Sequence, residues 1–190
     1  MKPAVLSALL LLSCGGPVEW RELPAARLGP SEARRSGEAR RAAVLLGERL
    51  LERLSEEIAA RGLAAAVDVC RTAAPAIAAE VGAELGLKLG RTSERLRNPA
   101  NRPPDFAAKA IAEAARVGGP PRVFVAGDGR MGVTLPIRLK AMCTACHGAA
   151  EAIDPAVRER LAALYPDDRA TGYAEGDLRG FFWVELPPED

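Results

Sequence analysis

The chain has 190 residues, of which 48% are hydrophobic and 27% charged, and its formal net charge is +1. This length and composition predict a globular protein with one hydrophobic core. The balance of 26 basic and 25 acidic residues argues against a nucleic-acid partner, which would require a basic face. Aromatic residues make up only 4% of the chain, so we expect a core of aliphatic side chains and alanine.

The first residues have the features of a bacterial export signal. Lys2 precedes a short apolar run that ends at Ser13, and Cys14 follows. The run is shorter than the roughly 20 apolar residues of a membrane span, so we interpret residues 1–13 as a signal peptide. Residues 11–14 resemble a lipobox, whose cysteine is lipidated; an ordinary signal peptide is the alternative. We therefore predict a lipid anchor on Cys14, on the periplasmic side of a bacterial membrane.

The next segments predict a tether and two helices. Residues 14–30 contain several prolines and glycines, which indicate a tether to a folded domain at 31–190. A long helix is predicted from Ser31, as its N-cap, to about residue 60, because leucine and isoleucine recur there every four residues. Gly62 would end it. A second helix, at 65–83, would carry Cys70 on its apolar face and would be broken by Pro75.

The second half of the chain alternates between strand and helix signals. The predicted elements are a strand at 85–90, a loop at 91–104, a helix at 105–117 capped by Asp105, a hairpin of strands at 122–126 and 131–138, a helix at 152–164 and a strand at 177–186. Because helices come first and antiparallel strands later, the predicted fold class is α+β with one sheet.

The string Cys143-Thr-Ala-Cys146-His147 has the spacing at which haem c is attached. Two thiols one helical turn apart can each add to a vinyl group on the same porphyrin edge, and the histidine that follows can bind the iron. His147 is the only histidine in the chain. No histidine therefore remains for acid–base catalysis, and we expect no enzymatic activity.

The other side of the iron has more than one candidate ligand. Cys70 is the one cysteine assigned neither to haem attachment nor to the lipid anchor. An unpaired cysteine in an exported protein indicates a bond to a partner or a reactive thiol. It could also be a core residue, which is common for free cysteine. Met131 is an alternative because Met/His ligation is common in cytochromes c, whereas Met142 lies too close to Cys143; an open or solvent-ligated iron is a further possibility. Cys70 and the motif could also form a Cys₃His zinc site, although adjacent ligands are poorly spaced for one.

Haem propionates would need cationic or amide partners. Four candidates lie in the long loop or beside the motif, and solvated surface residues are the alternative: Arg91, Arg97, Asn98 and Arg138. Asp177 and Arg179 are expected to pair with each other and to hold the loop before the last strand.

Several segments together resemble a known family, the haem c-binding, PAS-like domain of unknown function found in exported cytochromes and bacterial sensor ectodomains. The matching segments cover most of residues 40–186: Val69–Pro75, Gly90–Ser93, Arg97–Asn101, Leu135–Ile137, Cys143–Gly148 and Tyr165–Gly180. The resemblance implies a PAS-like antiparallel sheet flanked by helices and a single covalent haem. It also implies an axial pair of the motif histidine and an upstream cysteine, here His147 and Cys70.

These expectations favour electron transfer. A thiolate opposite imidazole would stabilise ferric iron, and two protein ligands would leave no vacant position for oxygen chemistry. We expect a membrane-tethered electron carrier with an unidentified redox partner protein. The alternative is a haem-based redox or small-ligand sensor that works with a membrane partner. The carrier is favoured because the sequence shows neither a transmembrane helix nor a signalling segment after residue 186.

Overall fold

The computed structural model describes residues 18–189, in which helices flank one antiparallel sheet. The strands lie in the order β1-β3-β4-β5-β2 and span Trp20–Leu23 (β1), Lys88–Thr92 (β2), Arg122–Ala126 (β3), Met131–Arg138 (β4) and Leu178–Leu186 (β5). The helices are Pro30–Arg71 (α1), Ala73–Leu85 (α2), Asp105–Val117 (α3), Thr144–His147 (α4) and Pro155–Leu164 (α5). The predicted α+β class and long N-terminal helix are confirmed. The signal peptide and Cys14 lie outside the described residues.

The predicted tether at 14–30 is wrong over much of its described part. Trp20–Leu23 pairs with β3 as an antiparallel edge strand, in the register Trp20 opposite Ala126. The strand is held by side chains as well as by backbone, since the Trp20 ring lies 5.0 Å from that of Phe106. Pro24 and Gly29, which follow this strand, lie at the starts of a 3₁₀ turn and of α1.

The sheet packs helices on both faces. On one face, a core of aliphatic side chains joins α1 and α2 to the sheet through residues such as Leu46, Val81 and Val184. On the other face, α3 packs Phe106 and Ile111 against aromatic residues of β3 and β5. A third cluster joins the C-terminal end of α1 to α5. The first part of α1 therefore rests on the sheet, and its last turns extend beyond it.

Two breaks shape the region around Cys70. Gly62 has φ 84° and ψ 175°, which interrupts α1 where the sequence predicted its end, and helix then continues to Arg71. This backbone conformation is accessible essentially to glycine alone. The next junction falls at Thr72, not at Pro75 as predicted. Pro75 lies in the first turn of α2, where its missing N–H would have had no intrahelical partner.

Three smaller expectations differ from the structure. The N-cap of α1 is Gly29 with Pro30 after it, and the Ser31 hydroxyl donates to Glu189 instead. Asp105 lies inside the first turn of α3 and makes no side-chain cap. The strand predicted at 85–90 begins at Lys88, because the preceding residues complete α2 and its left-handed cap.

Within residues 18–189, no single helix combines the length and apolar composition of a membrane span; only α1 and α2 taken together, bent by 52° at their junction, satisfy both criteria.

Candidate functional site

A cavity of about 700 Å³ lies between α1, the ends of β4 and β5, and the segment that carries the cysteine–histidine motif. Its apolar lining includes Leu50, Leu54 and Ile58 of α1, together with Ile137 and Phe182 of the sheet. The lining includes eight of the candidates predicted within the folded domain: Cys70, Arg91, Arg97, Asn98, Arg138, Cys143, Cys146 and His147. Residues from three separate parts of the sequence thus meet at one site.

The motif forms a short helical segment whose thiols lie one turn apart. A 3₁₀ turn at Ala141–Cys143 runs directly into α4, and both Cys143 and Cys146 are half-buried on the cavity wall. The carbonyls at the end of this helix would otherwise lack partners. The His147 carbonyl accepts a hydrogen bond from the Tyr173 amide at 2.9 Å. The loop at residues 165–176 therefore fastens the motif to the rest of the domain.

The imidazole of His147 is held in a single tautomer. Its Nδ1 lies 2.7 Å from the carbonyl oxygen of Ala170. A carbonyl can only accept, so Nδ1 carries the hydrogen and Nε2 is left with a lone pair. Burial, followed by the charges of Arg97 and Arg179, lowers the pKa of His147 to about 3. A neutral imidazole with an unprotonated Nε2 is the form that binds metal ions.

Cys70 and Met131 lie in very different environments. The Cys70 thiol is half-buried and lines the cavity. Burial is the main cause that raises the pKa of the Cys146 thiol, and the nearby Cys70 raises it further. Met131 is fully buried in β4, packs in the core between sheet and α1, and is absent from the cavity lining. Met131 is therefore excluded as a ligand at this site. Its place follows from strand alternation, which turns it towards the core.

A zinc site formed by the motif and Cys70 is not supported. Among residues 18–189, no three His, Cys, Asp or Glu side chains converge closely enough to hold one metal ion. Tetrahedral zinc needs its thiolates and imidazoles at about 2.0–2.3 Å from one centre. The thiols and the imidazole are spread over the cavity wall instead.

The predicted cationic and amide candidates have different roles. The guanidinium of Arg97 is already engaged, because its Nε donates to Asp168 at 2.9 Å and its Nη2 donates to the Cys146 carbonyl at 2.6 Å. The Asn98 side chain accepts from the Ala100 amide and caps a 3₁₀ turn. These two residues line the cavity, but much of their hydrogen-bonding capacity is used within the protein.

Arg91 and Arg138 lie on the same cavity with more freedom. The guanidinium of Arg91 has no hydrogen-bond partner among the described residues, although its charge contributes to the low pKa of His147. Arg138 is exposed at the rim and donates to the carbonyl of Gly118 at 2.7 Å. Arg91 is therefore the predicted arginine that is best placed to meet an anionic group.

Sequence reasoning missed the role of Arg179, which lines the cavity. The expected pair with Asp177 is wrong: Asp177 accepts from the Ala174 amide, and Arg179 donates to the carbonyl of Arg95. Burial lowers the pKa of Arg179, and the nearby charge of Arg97 lowers it further. A cation in this position would be stabilised by an anion in the cavity.

Three cavity-lining residues contain a buried polar atom that has no hydrogen-bond partner among the described residues: Thr92 Oγ1, Tyr165 Oη and Arg179 Nε. Buried polar groups are normally satisfied, so such atoms indicate a missing partner. Burial is also the main cause that raises the pKa of Tyr165 to about 12, so its hydroxyl is a donor at neutral pH. The chemistry of the site fits a bound group with an apolar body and acceptor oxygens.

The fold and cavity define an α+β protein with a site that carries thiols, a neutral imidazole and arginines. The chain belongs to the Tll0287-like family, whose sequence profile matches residues 21–187. A solved structure with a similar fold is that of the cyanobacterial haem protein Tll0287. The two are 22% identical with a TM-score of 0.58, over 86% of this chain and 99% of that one. No curated protein matches the chain.

Proposed function

We propose that the protein binds one haem in this cavity, attached as haem c through Cys143 and Cys146, and that it acts in electron transfer. His147 and Cys70 are the residues that would hold the iron. The observation that carries the proposal is the convergence of these four residues on one cavity, with His147 in the ligand tautomer. The similar fold of a cyanobacterial haem protein supports it.

The cavity has the properties that haem requires. Its volume of about 700 Å³ falls within the range of about 300–1,000 Å³ that is usual for cofactor sites. Leucine side chains of α1 and the ring of Phe182 provide apolar surface for a porphyrin. Arg91 and Arg179 supply the cations for propionates, while Tyr165 offers a hydroxyl donor. In this assignment, Arg97 is a structural cation rather than a propionate partner, because Asp168 already neutralises it.

Electron transfer is the function that this ligand set favours. Bound haem iron would supply a one-electron centre, with a thiolate donor that favours the ferric state. The imidazole of His147 is fixed by its hydrogen bond to Ala170, so little reorganisation is needed on that side. We assign no catalytic residue, since the chain's only histidine is used as a ligand. We also propose that the fold is PAS-like and that the haem is of the c type, as the family resemblance implies.

One feature favours the alternative, a haem-based redox or small-ligand sensor. Cys70 lies on a short segment of α1 between the break at Gly62 and the junction at Thr72. Displacing Cys70 from iron would require a shift of this segment against its contacts with α5. The segment is held by α5, since Arg160 forms an ion pair with Asp68. Ready binding of carbon monoxide by the wild-type ferrous protein would favour the sensor over the carrier.

Export and anchoring complete the proposal and rest on the sequence alone. Cleavage before Cys14 and lipidation of that cysteine would place the folded domain on the periplasmic side of a bacterial membrane. That compartment is where haem c attachment takes place. The partner would be a redox protein at the same membrane surface, and the near-neutral charge gives no reason to expect nucleic acid.

The test of haem attachment is chemical. The full chain, produced together with haem c maturation factors, should keep its colour through acid–acetone extraction and should gain the mass of one haem. Replacing both Cys143 and Cys146 by serine should abolish the bound colour under denaturing conditions, whereas Cys70→Ala should retain it. Extraction of all colour from the wild-type chain, or zinc in place of iron, would contradict the proposal.

A further inference from the structure

The histidine of the motif is oriented by a carboxylate that sequence analysis does not identify. Asp168 accepts two hydrogen bonds: one from Arg97 Nε at 2.9 Å and one from the Ala170 amide at 2.8 Å. The carbonyl of the same Ala170 accepts the Nδ1 hydrogen of His147 at 2.7 Å. One carboxylate therefore holds the backbone N–H of the residue whose carbonyl accepts from the imidazole.

Arg97 closes the network from the other side. Its Nη2 donates to the Cys146 carbonyl at 2.6 Å and to the Ala170 carbonyl at 3.3 Å. The side chains of Arg97 and Asp168 are only 7% and 12% exposed, so water competes little for these bonds. The main chain of the motif and the acceptor of its histidine are thus linked through one buried ion pair.

We propose that Asp168 is a positioning residue for the axial ligand: through Ala170 and Arg97, it fixes the ring orientation of His147 and the strength of its Nδ1 hydrogen bond. This inference rests on the proposed function, because the imidazole matters only if Nε2 binds iron. Histidine ligands usually donate their other ring N–H to a carbonyl or carboxylate, and such outer partners tune the ligand. Here the backbone N–H of that same residue, Ala170, is held by Asp168.

Asp168→Asn should disturb this arrangement while preserving the shape of the side chain. An amide has only one oxygen, so its NH₂ group would face either the Ala170 amide or the Arg97 Nε, both of which are donors. The Ala170 carbonyl would lose its fixed position, and His147 would become a weaker donor to iron. Ferric haem would be less stabilised, both for this reason and because a negative charge is lost.

The chain offers a matched control in the turn between β3 and β4. Asp128 Oδ1 accepts from the backbone amide of Arg130 at 3.1 Å, and its Oδ2 accepts from Arg130 Nε at 2.9 Å. This is the same pair of contacts that Asp168 makes, at a site that does not line the cavity. Asp128→Asn should therefore leave the haem unchanged.

The experiment uses the full, haem-loaded chain and measures three quantities: haem covalently bound per chain, the ferric electron paramagnetic resonance g-values, and the reduction potential. Asp168→Asn should keep its covalent haem, because Cys143 and Cys146 are intact. Its g-values should shift, and the ferric-to-ferrous ratio at fixed potential should fall about tenfold, which is about 59 mV for a one-electron couple. Asp128→Asn should match the wild type in all three.

A second variant keeps the test decisive if Asp168→Asn does not accumulate. Arg97→Lys retains the positive charge but cannot reach Asp168, Cys146 and Ala170 at once, so the g-values should shift with a smaller change in potential. Unchanged g-values and potential in a haem-loaded variant would overturn the role of Asp168. A wild-type chain without covalent haem would instead refute the proposed function, so the two failures are distinguishable.

Discussion

Removing the Arg97 guanidinium should destabilise the domain even when no haem is bound. The change is Arg97→Met, which keeps an apolar stem of similar length but leaves Asp168 without its cation. It also removes the donor that serves the Cys146 and Ala170 carbonyls. Breaking a buried ion pair by removing one partner typically costs about 3–5 kcal/mol of the free energy of unfolding. Because Asp168 retains 12% exposure, we expect a loss near the lower end, about 3 kcal/mol.

The assay is urea denaturation of the chain produced without haem maturation, followed by circular dichroism. A loss of about 3 kcal/mol corresponds to a decrease of about 6–12 °C in the midpoint of thermal unfolding for a domain of this size. A double-mutant cycle with Asp168→Asn isolates the pair, and its coupling free energy should lie at about 1–3 kcal/mol. The double mutant should therefore lose less free energy of unfolding than the two single mutants lose in sum.

The exposed ion pair between Arg160 and Asp68 supplies the control. Its distance of 2.5 Å is comparable, but its side chains are 43% and 34% exposed. The same two substitutions there, Arg160→Met and Asp68→Asn, should show much weaker coupling, since water screens exposed pairs. Equal coupling at both sites, or no coupling at Arg97 and Asp168, would refute the reasoning from burial.

Three further outcomes are expected. Cys70→Ala should retain covalent haem but turn the ferric absorption spectrum towards high spin and raise the potential, because the thiolate donor is lost; an unchanged spectrum would return Cys70 to the role of core residue. Met131→Ala should lower the free energy of unfolding by about 2–5 kcal/mol, as for other fully buried side chains, and should leave the position of the haem bands unchanged; a spectral change like that of Cys70→Ala would reopen its role as ligand. Cys14→Ser should release the protein from the membrane fraction or block its maturation, and a wild-type protein found soluble and cleaved elsewhere would leave only export standing.

Local patterns were sufficient for most of the secondary structure. The alternation in β4 and β5 and the glycine turn between β3 and β4 are short-range signals, and β3, β4 and β5 lie close to their predicted bounds. The spacing of Cys143 and Cys146 also carries its own geometry, because three residues span about one helical turn. Trp20–Leu23 escaped detection because an edge strand of four residues owes its existence to β3, not to its own sequence.

The candidate site shows the same division. Its residue types could be named in advance, and the cavity brings eight of the folded candidates together. The contacts of each side chain could not be predicted, because the sequence does not show whether an arginine meets a propionate or a carboxylate. Arg97 is consumed by Asp168, Arg179 lines the cavity without the expected pair, and Met131 lies in the core.

The sequence by itself determined the spacing of the thiols, the single histidine and the periodicity of the helices and strands, because these depend on neighbours along the chain. Only the tertiary structure decided that Cys70 and the motif line one cavity, and that Asp168 holds the N–H of Ala170, whose carbonyl accepts from His147. Those contacts join residues far apart in the chain. Their free energy depends on burial and distance, which exist only once α1, the sheet and the loop at residues 165–176 have packed together.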